Sequence, residues 1–308
     1  MKVFKVVPRG YCQGVVNAIK IAKSTRLQYP NEPIYILGMI VHNQYIVDAL
    51  NKMGVQTIDH KGKSRLELLD EIDEGVVIIT AHGAGQNVFE KAKQKGLTVV
   101  DSTCKDVIKT HDLISHSLNQ GHDILYIGKQ GHPEAEGALA INPNRIHLIQ
   151  NKDDISKLID KNKSYILTNQ TTMSMWDVQE IAEFAKSTLS HVEIMKETCN
   201  ATTIRQQAMS ALPSDVDFLY VVGDPHSNNT TRLANIAKEK KDIPVRLIES
   251  VHDICLDDIK DKTHIAVTSG ASTPTYLTNM VIHYLEQLDF NNPNTLIFPT
   301  INPDKILN

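Results

Sequence analysis

No run of about 18 apolar residues occurs in this 308-residue chain, so no segment is expected to cross a bilayer. There is no basic excess either. Its 32 Lys and Arg face 36 Asp and Glu, a net charge of −4, which argues against a nucleic-acid or anionic-membrane surface. The start, Met1-Lys2-Val3-Phe4-Lys5, has no signal-peptide apolar core and runs straight into a strand-like stretch. No Gly/Ser-rich or low-complexity segment marks a flexible linker. Cysteine is scarce and scattered: Cys12, Cys104, Cys199 and Cys255 include no Cys-x-x-Cys pair. In a chain of this length and character, metal binding or catalysis is a better expectation for them than disulfides. These absences leave a soluble, cytoplasmic, globular protein, long enough for two or three domains.

What is present is organised around Gly131-His132-Pro133-Glu134-Ala135-Glu136-Gly137. An apolar run, Ile124 to Gly128, precedes it and reads as a buried strand, which puts the heptapeptide at that strand's carboxyl end, where open α/β sheets bind ligands. Pro133 fixes its own φ and biases His132 toward an extended backbone. His132 and Glu134 are therefore expected on a stiff turn, as a hydrogen-bond donor and a proton source.

The same layout recurs three times. Val3–Val7 leads to Cys12, Leu97–Val100 to Cys104 and Val192–Met195 to Cys199, and each cysteine opens a helix-type run. The cysteines lie 92 and 95 residues apart. Each helix is followed by a strand with a polar tip: Ile34–Leu37 before His42-Asn43, Ile124–Ile127 before His132 and Glu134, Phe218–Val222 before Ser227-Asn228-Asn229. A second such strand follows in each unit: Val76–Thr80 before His82, Tyr165–Leu167 before Thr171-Thr172, Ile265–Val267 before Ser269 and Ser272. The alternation predicts an α/β protein of three similar lobes with mainly parallel sheets, in pseudo-threefold arrangement, with cysteines and tips at a common centre. The expected boundaries are lobe 1 at 1–100, including the N-terminal strand, lobe 2 at 101–195, lobe 3 at 196–290, and a tail at 291–308 packing on the body. The charged run Asp59–Arg65 is expected to be a solvated loop.

The orphan N–H groups of a helix start favour a thiolate, so cysteines placed there are suited to metal ligation. Three thiolates without a fourth leave one position open, as in a catalytic site. Zinc, or a four-iron cluster with one iron free for substrate, fits that donor set. Cys255 breaks the pattern and reads as packing. His42, His82 and His132 lie on similar tips, whereas His60, His111, His116 and His191 carry no functional expectation. Backbone amides where tips open helices can cradle phosphate without a cluster of Lys or Arg.

Eight ordered motifs carry a family resemblance. They are Pro8-Arg9-Gly10-Tyr11-Cys12-Gln13-Gly14-Val15, Val41-His42-Asn43, Ala81-His82-Gly83, Asp101-Ser102-Thr103-Cys104, Gly131–Gly137, Asn169-Gln170-Thr171-Thr172, Glu197-Thr198-Cys199-Asn200-Ala201-Thr202 and Gly270-Ala271-Ser272-Thr273-Pro274. Together they resemble the 4-hydroxy-3-methylbut-2-enyl diphosphate reductase (LytB/IspH) family from the N-terminus to about Leu288. That resemblance implies one [4Fe–4S] cluster per chain, at the centre of the lobes, on Cys12, Cys104 and Cys199. It implies a diphosphate held by His42, His82, His132, Ser227, Asn228, Asn229 and Ser272, and protons delivered by Glu134 through Thr171, with His132 beside them. The implied reaction is two-electron reductive dehydroxylation of an allylic diphosphate to isopentenyl and dimethylallyl diphosphate, the last step of the non-mevalonate pathway. Electrons would come from a carrier such as flavodoxin or ferredoxin. A Cys₃ zinc hydrolase of a phosphorylated metabolite and a non-catalytic iron–sulfur sensor are the competing readings. The chain departs from the family pattern at Lys105, where Pro is usual, at Ala84-Gly85, where Val-Ser is frequent, and at Asn228, where Ser is common.

Overall fold

The computed structural model describes residues 1–158 and 160–308. In chain order the strands are β1 (Lys2–Lys5), β2 (Ile34–Leu37), β3 (Val55–Ile58), β4 (Val76–Ile79), β5 (Thr98–Asp101), β6 (Asp123–Ile127), β7 (Ile146–Ile149), β8 (Ser164–Asn169), β9 (His191–Ile194), β10 (Phe218–Val222), β11 (Val245–Ile248) and β12 (His264–Ser269). The helices are α1 (Gln13–Gln28), α2 (Gln44–Lys52), α3 (Arg65–Leu69), α4 (Gln86–Gln94), α5 (Lys105–Asn119), α6 (Pro133–Leu139), α7 (Lys152–Ser156), α8 (Met175–Thr188), α9 (Asn200–Ser210), α10 (Asn228–Lys241) and α11 (Thr275–Gln287).

The strands form three four-stranded sheets of one topology: β3-β2-β4-β5, β7-β6-β8-β9 and β11-β10-β12-β1. All pairings are parallel. Parallel strands need helical crossovers that cover the sheet faces, so the inner strands are continuous apolar runs. β4, β6, β10 and β12 are buried throughout, while the edge strands β1, β5 and β9 hold only exposed and half-buried residues. The three α/β lobes with mainly parallel sheets are therefore present.

One boundary differs from expectation. β1 was expected in lobe 1, but it pairs with β12, Lys2–Lys5 aligning with His264–Val267. Each cysteine thus follows the edge strand of the preceding sheet: β5 before Cys104, β9 before Cys199, and β1 before Cys12. In the third sheet that edge position, beside β12, is filled by the strand at the start of the chain.

The chain divides into two compact units. The first comprises Met1–Val15, His42–Ala49 and Asn200–Asn308. Its core joins Tyr220 and Val267 of the sheet to Val281 and Leu285 of α11. The tail lies on this unit: Tyr11 Oη donates to the Ile306 carbonyl at 2.6 Å, Ile306 is buried, and Phe298 packs against Tyr284. The second unit comprises Val16–Val41 and Leu50–Cys199. It holds two sheets, with cores around Leu37, Val77 and Ile79 and around Leu125, Ile127 and Leu167. Arg65 corrects the expected solvated loop: Lys61 to Ser64 are exposed, but Arg65 opens α3 and is buried.

Candidate active site

One local device recurs in all three lobes. The backbone N–H of each repeated cysteine donates to the carbonyl of the second residue beyond an inner strand. Cys12 donates to Ala271 at 3.0 Å, Cys104 to Ala81 at 3.0 Å and Cys199 to Thr171 at 3.1 Å. Each cysteine immediately precedes a helix: α1, α5 and α9. Cys104 is the N-cap of α5 with extended dihedrals and no side-chain cap bond, so its sulfur does not cap the helix. The cysteines form no disulfide among the described residues and are half-buried. Cys255 forms none either but precedes only a short 3₁₀ turn, Leu256–Asp258.

In the second unit a carboxyl is buried on the turn that follows β6. Glu134, in the first turn of α6, is 2% exposed. Thr171 holds both carboxylate oxygens: its N–H donates to Oε1 at 2.7 Å and its hydroxyl to Oε2 at 3.0 Å. Burial pushes the Glu134 carboxyl from 4.5 up to about 7, against the Thr171 bonds and the nearby Tyr126 hydroxyl, which favour the ionised form. Tyr126 approaches from β6 but makes no well-formed hydrogen bond. A carboxyl that changes charge near neutrality is suited to general acid work. The Thr171 carbonyl meanwhile anchors Cys199, so one residue joins the acid to a cysteine.

His132 caps α6 with φ −78 and ψ 132, the extended conformation that a residue before proline favours. Its Nδ1 accepts the Glu134 N–H at 3.1 Å. A neutral His132 therefore carries its proton on Nε2, which makes that nitrogen a donor for an anion. The His82 ring meets His132 edge-on, with centroids 5.4 Å apart. Asn169 fixes the Cys199 loop: its Nδ2 donates to Thr198 Oγ1 at 2.9 Å and its Oδ1 accepts the Glu197 N–H at 3.0 Å. Lys109 of α5 pairs with Glu197 at 2.9 Å, tying the Cys104 helix to the Cys199 loop.

In the first unit Ser272 Oγ donates to the His42 carbonyl at 3.1 Å and lies 3.3 Å from Ser227 Oγ. Ser227 is the N-cap of α10, accepting from the Thr230 N–H, and His42-Asn43 precede α2. Asn228 is half-buried at the start of α10. Asn229, one residue further, is tied to the scaffold: its Oδ1 accepts the Ala271 N–H at 3.0 Å and its Nδ2 donates to Thr202 at 3.3 Å. It thereby braces the residue whose carbonyl holds Cys12. Gly10, at φ +74, brings the Cys12 loop so close to Thr275 that a Cβ would lie 2.3 Å from its hydroxyl. Only glycine fits that left-handed, crowded position.

Three residues of this neighbourhood carry no motif signal of their own. Tyr126 reads only as strand core. Arg65 sits in a charged run. His111 sits mid-helix, yet its ring contacts the positions where Gly83 and Gly137 lack a Cβ, and burial lowers its pKa. Lys105 is exposed in the first turn of α5.

Fold and site define an α/β protein with three repeated sheets, three helix-opening cysteines, and a buried acid clasped beside one of them. The chain belongs to the LytB family, whose model, described as LytB protein, matches residues 3–286. A 4-hydroxy-3-methylbut-2-enyl diphosphate reductase of Geobacillus sp. (strain WCH70) is 49% identical over 297 residues, covering 96% of this chain and 93% of the relative. The enzyme of that name from Brevibacillus brevis is 47% identical over 309 residues, 100% of this chain and 99% of the relative. Among solved structures, the E-1-hydroxy-2-methyl-but-2-enyl-4-diphosphate reductase of Plasmodium falciparum superposes with a TM-score of 0.86 at 32% identity, over 94% of this chain and 89% of that one. A second, described as the terminal enzyme of the non-mevalonate pathway, gives a TM-score of 0.66 at 27% identity, over 94% of this chain and 100% of that one.

Proposed function

We propose that this chain is a 4-hydroxy-3-methylbut-2-enyl diphosphate reductase that removes the allylic hydroxyl of its substrate. The observation that carries the reading is the Glu134–Thr171–Cys199 chain: a buried acid near pKa 7, one residue from a thiol at a helix start. The donor set suits an iron–sulfur group, since Cys12, Cys104 and Cys199 are half-buried thiols outside any disulfide among the described residues, and the backbone N–H of each is anchored beside an inner strand. In this reading those three thiolates hold one [4Fe–4S] cluster, which supplies electrons and an open iron position when bound.

The remaining work belongs to side chains. Nε2–H of neutral His132, with His82 and His42, donates to the substrate diphosphate. Ser227, Asn228, Asn229 and Ser272 add hydroxyl and amide donors at helix starts, where backbone N–H groups favour anions. Asn229 also fixes the Ala271–Cys12 contact. Cleaving the C–O bond with two electrons requires two protons, one leaving in water and one on carbon. With Glu134 protonated and the Thr171 hydroxyl turned toward the leaving hydroxyl, Thr171 Oγ, 3.0 Å from Oε2, accepts the Glu134 proton as it gives up its own. Electrons arrive singly from a carrier protein such as a flavodoxin or ferredoxin. No described helix is long and apolar enough to cross a membrane.

The test is metal and sulfide analysis of anaerobically purified protein. Iron and acid-labile sulfide in equal amount, with a spectrum lost in Cys199→Ser, supports the reading; stoichiometric zinc without sulfide overturns it.

A further inference from the structure

Arg65 is 7% exposed, and no carboxylate among the described residues lies within ion-pair distance of it. Its guanidinium instead reaches three neutral oxygens. Nε donates to the Leu37 carbonyl at 3.4 Å, Nη1 to the Pro133 carbonyl at 3.3 Å, and Nη2 to Thr80 Oγ1 at 2.7 Å. Leu37 ends β2, Thr80 lies two residues before His82, and Pro133 separates His132 from Glu134. Thr80 Oγ1 in turn lies 3.5 Å from His82 Nδ1, and the His82 ring rests edge-on against His132. The contacts close a ring: Arg65, Thr80, His82, His132, Pro133 and back to Arg65.

We propose that Arg65 is a positioning residue for the anion site, locking the His82 tip to the His132-Pro133-Glu134 turn and supplying buried positive charge behind them. The proposal rests on the reading of His82 and His132 as diphosphate donors. Two physical points carry it. A guanidinium out of water is costly unless compensated, and here the fold supplies hydrogen bonds but no paired carboxylate. Glu136 and Asp59 act on it only from a distance. The charge is hydrogen-bonded but has no carboxylate paired with it, so its field is available to a bound anion. The planar fork also reaches acceptors at the ends of two neighbouring strands of one sheet and on the turn that opens α6 at once, which a lysine ammonium or a neutral amide cannot do. With Thr80 accepting from Arg65, its own hydroxyl proton is free to point at His82 Nδ1. That would leave the His82 proton on Nε2, matching His132.

The experiment measures binding of inorganic diphosphate by calorimetry, and KM and kcat with the allylic substrate, on cluster-loaded protein. Arg65→Gln should weaken diphosphate binding and raise KM by about tenfold, the scale of one unit charge removed from several ångströms behind a ligand. kcat should stay within about threefold, and Arg65→Lys should recover part of the affinity. An Arg65 that only braces the fold would lower the melting temperature and leave the folded protein's diphosphate affinity unchanged, overturning the proposal. His82→Asn and His132→Asn separate the two layers. If neither weakens diphosphate binding, the donor reading fails; if both do and Arg65→Gln does not, the Arg65 proposal alone fails. Should Arg65→Gln not fold, Thr80→Val keeps the side-chain volume and cuts the Arg65–His82 link. Weakened diphosphate binding in that variant supports the proposal, and unchanged binding overturns it.

Discussion

Replacing Glu134 by Gln changes charge and proton content while nearly keeping shape. The amide oxygen can still accept the Thr171 N–H, now made at 2.7 Å, and the amide nitrogen can donate to the Thr171 hydroxyl, which rotates to accept. The fold should survive. Energetically the variant removes a burden. A carboxyl raised from 4.5 to about 7 by burial favours folding only while protonated. That contribution is fully present below pH 4.5 and is lost as the pH rises through about 7. Above pH 7 the ionised group costs the folded state about 3 kcal/mol relative to an unperturbed carboxyl. Glu134→Gln should therefore gain stability relative to wild type as the pH rises from about 5 to 8. Turnover should fall by roughly 10²–10⁴-fold, because Gln has no acid proton to give. Substrate KM should stay within about threefold, since the diphosphate donors are untouched. Wild-type turnover should itself decline as the pH passes about 7 and Glu134 loses its proton. Anaerobic steady-state reduction and thermal melts at pH 5 to 8 check both arms. Near-normal turnover of the variant would move the proton source elsewhere, with Glu136 the next residue to test. A stability difference that is flat with pH would refute the raised pKa.

Further variants follow from the scaffold. Cys12→Ser, Cys104→Ser and Cys199→Ser should each abolish stable cluster and activity while Cys255→Ser keeps both; iron content decides, and cluster loss confined to Cys255→Ser would reverse the assignment. Asn169→Ala removes both bonds to the Glu197–Thr198 backbone and side chain. It should cost about 1–3 kcal/mol and hasten cluster loss in air, followed by bleaching; unchanged kinetics would show that the loop holds itself. Arg65→Gln should separate diphosphate affinity from turnover.

Periodicity and punctuation made much of this legible. The inner strands are apolar runs because crossover helices cover both faces, so Ile124–Ile127 and Phe218–Val222 declare themselves, and the polar tips follow directly. Helix starts after Cys12, Cys104 and Cys199 are equally local signals. Long-range pairing is different. Nothing in Lys2–Lys5 says that its partner is β12, some 260 residues on, because a parallel edge strand is set by which sheet has an empty side. Arg65 was hidden for a related reason. A charged residue beside Lys61 and Lys63 looks solvated until the fold brings Leu37, Thr80 and Pro133 around it. Asn229 carries a role that its motif does not reveal: beside its place in the site loop, its amide braces Ala271 and Thr202.

The central claim is that this site uses two electrons and two protons to remove an allylic hydroxyl. Its most direct test is product analysis after anaerobic incubation of cluster-loaded protein with 4-hydroxy-3-methylbut-2-enyl diphosphate and a strong one-electron reductant. The expected products are isopentenyl and dimethylallyl diphosphate, with two electrons consumed per substrate and the diphosphate intact. Recovery of unchanged substrate from protein with a full cluster, or release of inorganic phosphate instead, would contradict it.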